Sequence, residues 1–93
     1  MQEILVAEIN HVFEKIQVAT LKVYSHLEVG DSVRIGGPKT SFYQLISSME
    51  KDRNKIDAAD PEEDVAIKVD EPVKKGDLIF KIIQDEDSNP NQA

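Results

Sequence analysis

One short phrase occurs twice in this chain. Residues 26–37 read His-Leu-Glu-Val-Gly-Asp-Ser-Val-Arg-Ile-Gly-Gly, and 46 residues on, Val73-Lys74-Lys75-Gly76-Asp77-Leu78-Ile79-Phe80 repeats the pattern. Gly30 can take positive φ, and Asp31 can bond nearby backbone, so the pair predicts a tight turn feeding a strand. Val33 and Ile35 then point one way, with Ser32 and Arg34 pointing the other, as a half-buried strand requires. Two such turns in 93 residues predict a small closed β structure.

A chain of this length is one domain with a modest core. With no Trp, two Tyr and three Phe, the core must come from Val, Ile and Leu, which favour strands. The absence of cysteine excludes disulfides and thiolate metal sites. No basic leader precedes an apolar stretch, and no apolar run has the length of a membrane span. The expectation is a cytoplasmic protein that does not enter membranes.

The net charge of −7 is concentrated. Residues 57–71 hold seven acids against one base, mainly Asp57, Asp60, Glu62, Glu63, Asp64, Asp70 and Glu71. Residues 34–55 carry a local excess of three positive charges through Arg34, Lys39, Lys51, Arg53 and Lys55. A solvated surface explains both regions, and a dipolar surface that orients a partner is the functional alternative. The overall acidity argues against binding of generic duplex nucleic acid tighter than about 10⁻⁴ M.

Taken in order, residues 4–13 form a first strand that bends near Asn10, with Leu5, Ala7 and Ile9 on one face. Glu14-Lys15 turns the chain, and residues 16–24 return it as a hairpin, with Ala19, Leu21 and Val23 inward. Gly36-Gly37-Pro38 breaks the third strand. Phe42, Leu45, Ile46 and Met49 then have helical spacing, and Ser41 with Gln44 resembles a capping box. Asp60-Pro61-Glu62-Glu63 could open a single helical turn. Val65, Ile67 and Val69 alternate cleanly, Pro72 ends that strand, and Leu78–Ile83 is the last one. Residues 84–93 are polar and acidic, and are expected to be a disordered tail following a 1–83 domain.

This order of hairpin, Leu-Glu-Val-Gly-Asp-Ser-Val-Arg-Ile-Gly-Gly, Phe-containing segment, Val65-Ala66-Ile67-Lys68-Val69 and Val73-Lys74-Lys75-Gly76-Asp77-Leu78-Ile79-Phe80 resembles the second, β-barrel domain of translational GTPases such as elongation factor Tu. It is closer to small stand-alone proteins with that barrel, and it also looks like the barrel appended to some collagenase-like peptidases. The resemblance covers roughly residues 4–83. It implies an all-β closed barrel of six or seven strands, in which 40–49 is a strand despite its helical spacing. Family members often have Gly where this chain has Gln17. No Gly-x-x-x-x-Gly-Lys-Ser/Thr loop is present, so GTP hydrolysis does not carry over.

Neither histidine, His11 or His26, has a matching carboxylate constellation for a metal. No His is placed in sequence to activate Ser41, Ser47 or Ser48. Asp60–Asp64 lacks the alternating ligands and central Gly of a calcium loop. Lys74 and Lys75 flank a turn and solubilise it. Phe42 and Tyr43 suggest a stacking platform beside Arg34 and Lys39, or one core and one surface aromatic. The chain therefore reads as a non-enzymatic binding module without metal or cofactor. Its expected partner is a protein, with structured RNA or the ribosome as a further possibility. Arg34, Lys51 and Arg53 are the candidate contact residues. The alternative function is a detached accessory domain acting in trans with a collagenase-like peptidase or an RNA-modifying enzyme.

Overall fold

Alternation of Val, Ile and Leu with polar residues marks the strands Val18–Val23, Ser32–Gly37 and Asp64–Lys68, and strands recur along the whole described chain. The computed structural model describes residues 2–83, so the expected tail at 84–93 lies outside the described residues. Ten strands follow in order: β1 Gln2–Phe13, β2 Val18–Val23, β3 Leu27–Glu28, β4 Ser32–Gly37, β5 Thr40–Leu45, β6 Met49–Lys51, β7 Asn54–Lys55, β8 Ala58–Ala59, β9 Asp64–Lys68 and β10 Leu78–Ile83. One 3-10 turn, Glu14–Ile16, joins β1 to β2. Eight strands form one sheet in the order β5-β4-β10-β1-β2-β9-β6-β7, while β3 pairs with β8 separately. Among the described residues no helix is long and apolar enough to cross a membrane.

The all-β expectation holds, but the closed barrel of six or seven strands needs correction. The hydrogen-bonded sheet does not close, since β5 and β7 are its two ends. At the β5 end a side chain takes the place of a ladder. Gln44 donates to the Lys68 carbonyl at 3.0 Å and accepts the Asp70 N–H at 2.8 Å. One amide thus serves a carbonyl and an N–H two residues apart, as a neighbouring parallel strand would. The strand count rises because β3, β7 and β8 are two residues each, too short to show a period.

Segment 41–49 divides. Thr40–Leu45 is a strand with Thr40 and Gln44 buried, and Ile46 continues the inward set before β6 begins at Met49. Pairing with β4 over six positions overrides the helical spacing. The first strand also differs from expectation. Its register shifts between Leu5 and Ala7 and again between Ile9 and His11. The first bulge leaves Val6 and Ala7 both buried and turns Leu5 outward, because an inserted residue exchanges faces. The second is the expected bend near Asn10.

The core comprises Ile9, Leu21, Leu27, Ile35, Ile46, Met49, Ile67 and Ile79 among its largest fully buried side chains. Each such side chain contributes roughly 1.5–3 kcal/mol by leaving water. Ala19, Leu21 and Val23 face inward as expected.

The two Gly-Asp phrases fold alike. Gly30 and Gly76 have φ of 98° and 95°. Asp31 and Asp77 each donate their N–H to the carbonyl three residues back, at 3.1 and 3.0 Å. Their carboxylates accept the N–H groups of Glu28 and Lys74, at 2.8 and 2.9 Å. Each is a turn with positive φ at its third position, and each clasps one buried isoleucine. Gly30 N–H donates to the Ile46 carbonyl and Ile46 N–H to the Asp31 carbonyl, while Gly76 and Asp77 hold Ile9 the same way.

A third copy lies where a helical turn was expected. Asp60-Pro61-Glu62-Glu63 places Glu62 at φ 77°, and Glu63 N–H donates to the Asp60 carbonyl. The Glu63 carboxylate accepts the Asp60 N–H at 2.7 Å, and the turn clasps Val23 through the same two bonds. Helix does not form because the chain must stay extended enough to reach Val23 and enter β9.

Candidate docking surface

The two Gly-Asp turns launch β4 and β10, which pair antiparallel with Phe80 opposite Arg34. On the outer face the cross-strand row continues to Tyr43 on β5 and Leu5 on β1. Arg34 is the centre of this row. Its Nε and Nη2 donate to the two Glu3 carboxylate oxygens at 2.9 and 2.8 Å, and its guanidinium carbon lies 4.6 Å from the Phe80 ring centroid. A fork onto one carboxylate fixes a planar group in orientation as well as charge. Arg34 holds the Glu3 carboxyl below its usual range, and Glu3 raises Arg34 in return.

Gly36 provides the room. A Cβ at Gly36 would come within 2.5 Å of Arg34 Nη1. Its neighbour Gly37 does the same for Asp77, where a Cβ would meet Oδ1 at 2.0 Å. The Gly-Gly pair read in sequence as a strand breaker is thus two clearances, one outward and one inward.

Apolar surface surrounds the clamp. Tyr43 is 67% exposed and Leu45 58%, with Leu5 at 40%. Phe42 packs against the core, so the pair divides into one core and one surface aromatic. A contiguous outer face with Tyr, Phe and a held Arg has the composition of a protein interface centre.

Lys51 and Arg53 lie elsewhere, with four strands between β4 and β6 in the sheet. Both line a groove of about 540 Å³, whose other wall includes Phe13 and Ile16. Lys51 is paired with Glu63 at 2.6 Å. Asp52 and Arg53, at φ 53° and 68°, form the two-residue turn between β6 and β7, where both positions need positive φ. Arg53 makes no ion pair among the described residues. The three basic candidates therefore do not converge on one site.

The histidines have structural company. His11 packs edge-on against Phe13, with centroids 4.4 Å apart. His26 places Nδ1 2.8 Å from Asp60 and Nε2 2.8 Å from Glu28. Two carboxylate acceptors require both ring nitrogens to donate, and the hydrogen bonds to Asp60 and then Glu28 raise the His26 pKa. Among the described residues no group of three or more His, Cys, Asp or Glu could hold a metal ion. The Glu3–Arg34 clamp was beyond sequence reasoning, since its partners are 31 residues apart and no local period links them.

Solved structures similar to this chain include the following two. One is the C-terminal domain of a Geobacillus thermoleovorans protein named as a U32 peptidase, with a TM-score of 0.81 and 26% identity over 85% of this chain and 92% of that one. The other is the selenomethionine variant of that domain, with a TM-score of 0.77 and 26% identity over 81% of this chain and 95% of that one. A comparison with curated proteins gives no match. The family model described as the peptidase family U32 C-terminal domain matches residues 2–79, and the chain belongs to that family.

Proposed function

We propose that this domain is a non-catalytic binding module that serves a U32-type peptidase as an accessory domain, docking on the peptidase chain in trans. The observation that carries this reading is the outer face of β5, β4, β10 and β1, where Tyr43, Arg34, Phe80 and Leu5 form one cross-strand row. An arginine already fixed between a carboxylate and an aromatic ring loses little freedom on binding, which favours a stable contact. A protein partner is favoured over structured RNA because Arg34 and Lys51 are both already paired with carboxylates. Each would have to exchange that partner for a phosphate.

The test mixes this chain with a U32-type peptidase from the same organism, expressed without its own C-terminal domain, and follows complex formation by sedimentation velocity. Tyr43→Ser with Leu45→Ser should weaken the complex about tenfold or more, as expected for hot-spot positions. Arg53→Ala should leave it intact. A full-strength complex with the Tyr43/Leu45 variant would overturn the proposal.

A further inference from the structure

At one end of the sheet, away from the docking face, a cavity of about 300 Å³ opens between the β1–β2 turn and the loop that follows β9. Its volume is at the small end of the range for ligand pockets. The floor is apolar, formed by Val12, Val69, Pro72 and Val73, of which Val69 and Val73 are buried. The back wall is fixed: Gln17 has left-handed φ and ψ of 56° and 49°, and its carbonyl accepts the Val69 N–H at 2.9 Å. That conformation ordinarily favours Gly, so the chain keeps a strained residue where two pocket walls meet. Charged groups are confined to the lining from exposed positions: Glu14 on one side, Glu71 and Lys74 on the other.

We infer that this cavity binds the amino terminus of a peptide that begins with an apolar residue. The chemistry matches group by group. The apolar floor takes the first side chain, the two carboxylates take the α-ammonium, and Lys74 takes the first or second carbonyl oxygen. An anionic ligand would meet two acids for one base, whereas an ammonium meets the favourable sign. This goes beyond the docking proposal and is measured without the peptidase, so the two can fail separately.

The experiment is a ¹⁵N–¹H NMR titration of the full chain with the tripeptide Leu-Gly-Gly and with its N-acetyl form. Leu-Gly-Gly should shift the amides of Val12, Gln17, Val69 and Val73. Acetylation removes the ammonium and should weaken binding about tenfold or more, the usual range for a charged hydrogen bond. Glu14→Gln with Glu71→Gln should weaken it similarly while Tm stays unchanged, because both side chains are exposed. Tyr43→Ser should have no effect. Equal binding of the acetylated peptide, shifts elsewhere, or no shift at millimolar peptide would each overturn the inference.

Discussion

The turn at Lys74–Asp77 and the turn at Asp60–Glu63 have one hydrogen-bond scheme and two different foundations. The first uses Gly76 at its positive-φ position and a carboxylate, Asp77, only 1% exposed. It needs nothing from outside. The second puts Glu62 at the same position, where an L side chain costs about 1–2 kcal/mol. It is held from two sides, by His26 on Asp60 and by Lys51 on Glu63. The same backbone can therefore be secured by a permissive residue or by ion pairs around a strained one. The two foundations respond differently to mutation and to pH.

The largest difference should come from removing the carboxylates of the glycine-based turns. Asp77→Ala removes a carboxylate only 1% exposed and leaves the part-buried Lys74 N–H without its partner, and should cost about 1–3 kcal/mol. Its twin Asp31 is 20% exposed in its side chain and lies 3.5 Å from Lys81, so Asp31→Ala should cost less than about 1 kcal/mol. Equal losses in urea denaturation would break the distinction between a buried and a surface copy. Next, Gly30→Val and Gly76→Val should each destabilise by roughly 1–3 kcal/mol, since a β-branched residue is strained at these φ values. Glu62→Gly should change stability with the opposite sign, raising it by up to about 1 kcal/mol through relief of the same strain. A loss on that substitution would show that Glu62 is held by something other than the turn.

The smallest effect is on pH. His26 has a raised pKa in the fold, so its contribution is fully present below its unfolded value and fades as pH rises through the folded one. Glu63 is lowered, chiefly by Lys51 and then by the Asp60 N–H, so its contribution fades as pH falls through its folded value. The Tm difference between the native chain and His26→Gln should therefore shrink between about pH 6 and about pH 9, bracketing the ordinary histidine range. A difference that stays constant would mean that His26 does not act as an imidazolium.

The comparison also shows what could be read in the sequence. Gly-Asp is legible because only Gly accepts positive φ without cost, so two of the three turns were visible before any fold was known. The third was not, because Pro-Glu-Glu equally suits the start of a helix and its geometry depends on Val23, 39 residues away from Glu62. The alternating strands β2, β4 and β9 were legible from period alone, and β10 from the Gly-Asp turn that precedes it. The bulge at Val6 was not, since it depends on a carbonyl that accepts both Tyr24 and Ser25. At the candidate surface, Arg34 and Tyr43 stood out as residue types. Their grouping with Glu3, Gly36 and Phe80 arises only from strand register.

Hydrogen exchange of this chain, alone and in complex with the truncated U32-type peptidase, tests the docking account most directly. Exchange should slow at residues 41–45 and around Arg34 and Phe80, while the Lys51–Lys55 hairpin keeps its free rate. Protection confined to that hairpin, with the β4–β10 face unchanged, would contradict it.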